Sequence, residues 1–170
     1  MTNRPAGLNI LDMLDDISVR ILSIIQQNAR TSNAEIARKI GMAPSAIFER
    51  IRKLESQGVI QGYAASLDPS VLGLDLVAYV FVSSDETGGN FETGHKLAEI
   101  PEVQEVHLVD GEDGYLIKLR TANTEELARL TQMRIRTIET VRSTRTTIVL
   151  KSLKESVQLP LSSSLKAAAG

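Results

Sequence analysis

GMAPSAIFERIRKLESQGVI, residues 41–60, reads as a turn followed by a helix with two unlike faces. At about 100° per residue, Ile47, Ile51 and Leu54 fall in one narrow apolar stripe. Ser45, Glu49, Arg52, Lys53 and Ser56 point the other way, with Arg50 on the flank. A helix that buries one stripe and offers Ser, Glu, Arg and Lys opposite suits insertion into a DNA major groove. Most amphipathic helices are only surface helices, so the neighbouring segments have to carry the reading.

Upstream, Asp15 is an N-cap for a helix in which Ile17, Ile21, Leu22, Ile24 and Ile25 recur at helical spacing, ending near Asn28. Ser32 or Asn33 caps a short second helix that buries Ile36, Ala37 and Ile40. Gly41 closes it by taking a left-handed conformation. Pro44 fits the first turn of the third helix, where its missing N–H does no harm. Ala43 in the capping position offers no oxygen to the unpaired amides, a loss of about 1 kcal/mol. Gly58 ends the third helix, and Val59 to Leu67 alternates as a strand or short wing. This order is that of a winged helix-turn-helix.

Asp68-Pro69 followed by Gly73 marks a boundary. Beyond it the period changes. Leu74 to Val82 and Val103 to Val109 read as strands, the second with Val103, Glu105 and His107 on one face and Val106 and Leu108 on the other. Tyr115 to Arg120 is a returning strand and Val141 to Leu150 a last one. Phe91 to Ile100 carries helix spacing, and a second helix capped by Thr124 runs through Leu127, Leu130, Met133 and Ile138. The predicted fold is therefore α+β, a winged helix-turn-helix joined to a ferredoxin-like β-α-β-β-α-β domain. Its boundaries are 1–66 for the DNA-binding domain, 67–73 for a linker, 74–155 for the second domain and 156–170 for a flexible tail without assigned function. Apolar residues on both faces of Leu74 to Val82 call for a cover on the sheet's second face, and a second subunit is the simplest one.

Composition narrows the function. The 170 residues contain no Cys, which removes disulfides, thiolate chemistry and Cys-ligated zinc. No apolar run approaches the ~18 residues of a membrane span, and Met1 to Ile10 does not resemble a signal peptide, so a cytoplasmic location is expected. The net charge of −2 conceals a split: residues 1–66 hold eight Lys/Arg against six Asp/Glu, and residues 67–170 hold eleven against fifteen. DNA affinity follows local phosphate contacts, so an acidic whole does not oppose a DNA-binding part. His95 and His107 have no carboxylate cluster at ligand spacing, and neither a metal nor a cofactor is called for.

In the order found, LDDISVRILSIIQQNAR, NAEIARKIGMAPSAIFERIRKLESQGVIQGYAASLDPSVLG, VQEVHLVDGEDGYLIKL and RSTRTTIVL resemble the Lrp/AsnC (feast/famine) transcription regulators over residues 11–155. The resemblance implies a homodimer that assembles to a tetramer or octamer, with an amino-acid effector between dimers. It puts double-stranded DNA on Ser45, Glu49, Arg50, Arg52 and Lys53, and the effector on Gly111, Glu112, Asp113, Thr144 and Thr146. The chain departs from the family's pattern at Ser18, Ala43 and Gly114, where an acid, a Ser or Thr, and an Asp or Cys are common.

Simpler readings stand beside these. Glu49 accepts from a cytosine amino group or pairs with Lys53 one turn on. Ser45 near the helix start suits a phosphate, while Phe48 packs beside the apolar stripe. Asp110 to Gly114 is first of all a hairpin turn, and Gly88-Gly89 a flexible connection rather than a phosphate loop. Two other functions fit the same architecture: a tetrapyrrole-binding decarboxylase-like enzyme using His107 and Arg120, and an effector-independent DNA-organising protein.

Overall fold

The computed structural model describes residues 14–86, 89–111 and 114–161. The chain divides into two units, one made of residues 1–65 with 156–170 and the other of residues 66–155. The described part of the tail, 156–161, groups with the N-terminal unit.

In the N-terminal unit, α1 spans Asp16–Gln27, α2 Asn33–Ile40 and α3 Pro44–Ser56. The Asp15 carboxylate accepts from the Ser18 amide at 2.8 Å, and Ser32 Oγ accepts from the Glu35 amide at 3.2 Å, so each helix start has a partner for one unpaired N–H. Gly41 ends α2 at φ 85°, and its own N–H and that of Met42 both return to the Ala37 carbonyl. The three helices bury Ile21, Ile36, Ala37, Ile47, Ile51 and Leu54 together. Each large aliphatic among them contributes about 1.5–3 kcal/mol on leaving water. Val59 and Ile60 bend back so that both amides bond the Leu54 carbonyl, and residues 61–67 join no ladder, so the expected wing strand is absent among the described residues.

Ala43 precedes α3 with no side-chain cap bond, yet its backbone is already extended at φ −71°, ψ 143°. A Ser placed there would have the right geometry at no backbone cost. Ala43→Ser is therefore expected to stabilise the N-terminal unit by about 1 kcal/mol, read as a rise of a few degrees in its melting temperature.

The C-terminal unit is a four-stranded antiparallel sheet in the order β2-β3-β1-β4, with β1 at Leu76–Ser84, β2 at Val103–Leu108, β3 at Tyr115–Thr121 and β4 at Val141–Ile148. Helices α4 (Glu92–Ala98) and α5 (Thr124–Leu130) complete the β-α-β-β-α-β order, and one π-type turn continues α5 over Thr131–Ile135. Ala78, Val80 and Val82 of β1 and Tyr115, Ile117 and Leu119 of β3 face Leu97, Ile100, Leu127, Leu130, Ile135 and Ile138 across one core.

Three local expectations change. Strand β1 begins at Leu76 rather than Leu74, because residues 69–73 form a turn in which the Leu74 amide bonds the Pro69 carbonyl at 2.8 Å. The cap of α5 is Asn123, whose side chain accepts from the Glu126 amide, and not Thr124. In β2 the register slips between Val103 and Glu105, leaving Gln104 as an extra residue. That bulge turns Val103 and Val106 to the same side, where both pack on the core.

Candidate nucleic-acid interface and effector site

The amphipathic pattern of α3 is realised in space. Ile47, Ile51 and Leu54 are buried, while Ser45, Glu49, Arg52 and Lys53 are exposed. Neither Glu49, Arg52 nor Lys53 has an ion-pair partner among the described residues, so the Glu49–Lys53 pairing does not form and all three heads face solvent. Arg50 is different. Its Nη1 lies 2.7 Å from Asp15 Oδ2 and 3.4 Å from Ser18 Oγ, and its side chain is 33% exposed. Asp15 thereby caps α1 and pins α3 to it. Burial pushes the Asp15 carboxyl up, but the hydrogen bonds from Ser18 and then Arg50 outweigh it and hold the group below its ordinary 3.8. Arg50 is thus spent on helix packing, unlike its neighbours on the outward stripe. Phe48, 50% exposed, lines a cavity of about 460 Å³ with Arg52, Glu55 and Tyr63, and Tyr63 donates to Glu55 at 2.9 Å.

At one end of the sheet the register sets Tyr115, Val82 and Thr144 side by side across three strands. Directly paired residues share a face. Thr144 and Thr146 therefore lie on the helix-bearing side, beyond the cover of the helices, with Thr144 half-buried and Thr146 exposed. The β2–β3 hairpin reaches this same end. Gly111 has φ 123° and Gly114 φ 78°, and a Cβ on Gly114 would sit 3.6 Å from the Val82 carbonyl and 3.8 Å from Ser84 Oγ. Glu112 and Asp113 lie outside the described residues.

Beneath the hairpin lies a polar cluster that sequence reading missed. Tyr115 OH donates to Glu86 Oε2 at 2.7 Å, the Thr93 amide donates to Glu86 Oε1 at 3.1 Å, and the Thr93 and Thr140 hydroxyls meet at 2.7 Å. Thr93 is fully buried and Tyr115 nearly so. Burial, then the Glu86 carboxylate, push the Tyr115 hydroxyl up to about 12. The clue was faint: Glu86 sits in a Gly-rich loop and its partner is 29 residues away.

The N-terminal part matches the winged helix-turn-helix DNA-binding domain family over residues 14–61, and the C-terminal part matches the Lrp/AsnC ligand-binding domain family over residues 77–159. The HTH-type transcriptional regulator FL11 of Pyrococcus horikoshii is 38% identical over 148 residues, covering 87% of this chain and 97% of that one. The chain belongs to the Lrp/AsnC family of transcriptional regulators. The leucine-responsive regulatory protein of Escherichia coli K12 is 34% identical over 150 residues, with 86% of this chain and 90% of that one aligned. Among solved structures, a Neisseria meningitidis regulator in complex with L-Met superposes with a TM-score of 0.81 at 27% identity, covering 87% of this chain and 97% of that one. The E. coli AsnC structure gives 0.80 at 28% identity, with 86% and 99% covered.

As an Lrp/AsnC regulator, the chain is a DNA-binding transcription factor, and its named relatives are regulators rather than enzymes. The two residues considered for tetrapyrrole binding stand on different strands and already face carboxylates: His107 Nε2 is 3.3 Å from Glu105, and Arg120 Nη2 is 2.5 Å from Glu155. No described helix is long and apolar enough to cross a membrane. On the face of the sheet away from the helices, Tyr79, Phe81 and Leu116 are half-buried, and the Arg145 guanidinium stacks 3.9 Å above the Phe81 ring.

Proposed function

We propose that this Lrp/AsnC regulator reads DNA with the outward stripe of α3 and answers to a free amino acid held where the β2–β3 hairpin meets Thr144 and Thr146. Ser45, Glu49, Arg52 and Lys53 are the reading residues, with Arg50 holding the helix in place. The observation that carries the effector half is the row Tyr115–Val82–Thr144, which brings the hairpin and the threonine strand to one end of the sheet. Gly111 and the threonine hydroxyls supply donors for an α-carboxylate, and the acids Glu112 and Asp113 are acceptors for an α-ammonium. The Neisseria relative bound to L-Met supports an effector of this class. A second copy of the chain covers the open sheet face of Tyr79, Phe81 and Leu116, and dimers assemble further around the effector. Such a regulator acts in the cytoplasm.

The test is binding of the full protein to its own upstream DNA, by fluorescence anisotropy, with and without each of the common amino acids. At least one, with L-Met the first to try, is expected to change the affinity or the assembly state about fivefold or more. Thr144→Val with Thr146→Val should abolish that response and leave effector-free DNA binding unchanged. If no amino acid has any effect, the effector-independent reading takes its place.

A further inference from the structure

Two acids stand on α3, and they differ in what they do for the folded unit. Glu55 accepts from the Tyr63 hydroxyl at 2.9 Å. Glu49 is exposed and has no ion-pair partner among the described residues, although Lys53 follows one turn later. It also lies beyond the first turn, the place where a carboxylate favours the helix dipole. Neither a cap nor an ion pair among the described residues accounts for this charge.

Its place on the helix is central. At about 100° per residue, Glu49 is about 40° round the axis from both Ser45 and Lys53 and about 60° from Arg52. The two cations therefore flank it, one on each side. A helix that sets this stripe into a major groove directs the middle of the stripe to the groove floor and its flanks toward the phosphates. Most polar groups on that floor are acceptors: guanine O6 and N7, adenine N7 and thymine O4. A carboxylate only accepts, so it is repelled by them. The donors there are the cytosine N4 and adenine N6 amino groups. Adenine N6 stands beside N7, which faces the second carboxylate oxygen, whereas cytosine N4 has only a C5–H beside it. Cytosine alone offers an amino group with no acceptor on the same base.

We propose that Glu49 is a specificity residue that admits cytosine at one position of the DNA site and weakens binding to other sequences. The proposal rests on α3 being the reading helix. Arg52 and Lys53 attract any duplex through its phosphates, and Glu49 opposes that attraction wherever no amino group stands opposite it. Non-specific DNA is the main competitor of a regulator's own site. A charge that lowers non-specific affinity therefore raises the ratio on which recognition depends.

Three full-length proteins test it: the parent, Glu49→Gln and Glu49→Ala. Glu49 lies outside the apolar core of its unit, so both variants keep the helices folded. Each protein selects duplexes from a random-sequence pool, and fluorescence anisotropy measures binding to the parent's selected duplex and to an unselected one. The parent is expected to enrich cytosine at one position. Glu49→Gln should change that base to adenine, whose N6 and N7 suit a carboxamide, and Glu49→Ala should leave the position without preference. Exchanging that C·G pair for A·T should weaken the parent about fivefold or more and Glu49→Ala hardly at all. Both variants should bind the unselected duplex severalfold more tightly than the parent. The proposal is overturned, with α3 still the reading helix, by one selected pattern common to all three proteins or by a base other than cytosine at the position that changes with Glu49. Unchanged binding of the variants to the unselected duplex overturns it equally. A parent that enriches no sequence at all overturns the reading of α3 as well.

Discussion

Replacing Arg52 and Lys53 together by Ala is expected to weaken DNA binding at least a hundredfold at moderate salt and to flatten its salt dependence. Both side chains are exposed on the stripe opposite Ile47, Ile51 and Leu54, and neither has an ion-pair partner among the described residues. Each cation that touches phosphate adds ~0.9 to the slope of log K against log salt, so losing two should lower the slope by about 2. An Arg reading a guanine is worth about 1–3 kcal/mol besides. Anisotropy titrations between about 50 and 200 mM salt measure both quantities.

Arg50→Ala is the internal control. Its guanidinium is bonded to Asp15, so its removal strikes the α1–α3 junction first. We expect a loss of about 1 kcal/mol in stability, since the pair is partly exposed, with the salt slope unchanged. A slope that falls on Arg50→Ala and stays put on the double variant would reverse the assignment of these side chains.

The largest effect on stability is expected from Gly94→Ala in α4. A Cβ there would lie 2.7 Å from Tyr115 Cε1 and 3.3 Å from Cζ. The ring has little room to move away, because Tyr115 is 4% exposed and its hydroxyl is tied to Glu86 at 2.7 Å. One added methyl in such a packed place costs about 1–3 kcal/mol, and the upper end applies here because the obstacle is the side of a pinned ring. Thermal unfolding should show a drop of several degrees. On a Tyr115→Leu background the same Gly94→Ala change should cost much less, since the ring edge it meets is gone. Equal costs on both backgrounds would mean that the ring is not the obstacle.

Gly94 also shows where sequence reading stops. Within a run of helical spacing, a Gly is only a weak helix former, and nothing in its neighbours announces an aromatic ring 21 residues further on. The same holds for Arg50, whose place on the flank of α3 was legible but whose partner is 35 residues upstream. Asp15 was legible as a cap because its acceptor role involves Ser18, three residues away. Its second role required the helices to be packed. In β2 simple alternation put Val103 and Val106 on opposite faces, and the bulge at Gln104 put them on one. A bulge answers to the partner strand, which a local window does not contain.

By itself the sequence determined the elements and their order: three helices, the first two capped by Asp15 and Ser32 or Asn33 and the second ended by Gly41, then β-α-β-β-α-β, and the outward stripe of α3. These depend on side-chain periods of about 3.6 and 2 and on caps within a few residues, all of which are local. The tertiary structure alone decided which polar groups are already engaged. It bound Arg50 to Asp15, Tyr115 to Glu86 and Leu159 to Gln26, across separations of 35, 29 and 133 residues. Such bonds form only after the apolar faces have packed and brought their partners within hydrogen-bond reach, so composition and spacing do not reveal them. Ser45, Glu49, Arg52 and Lys53 are among the α3 residues that remain exposed when that pairing is complete.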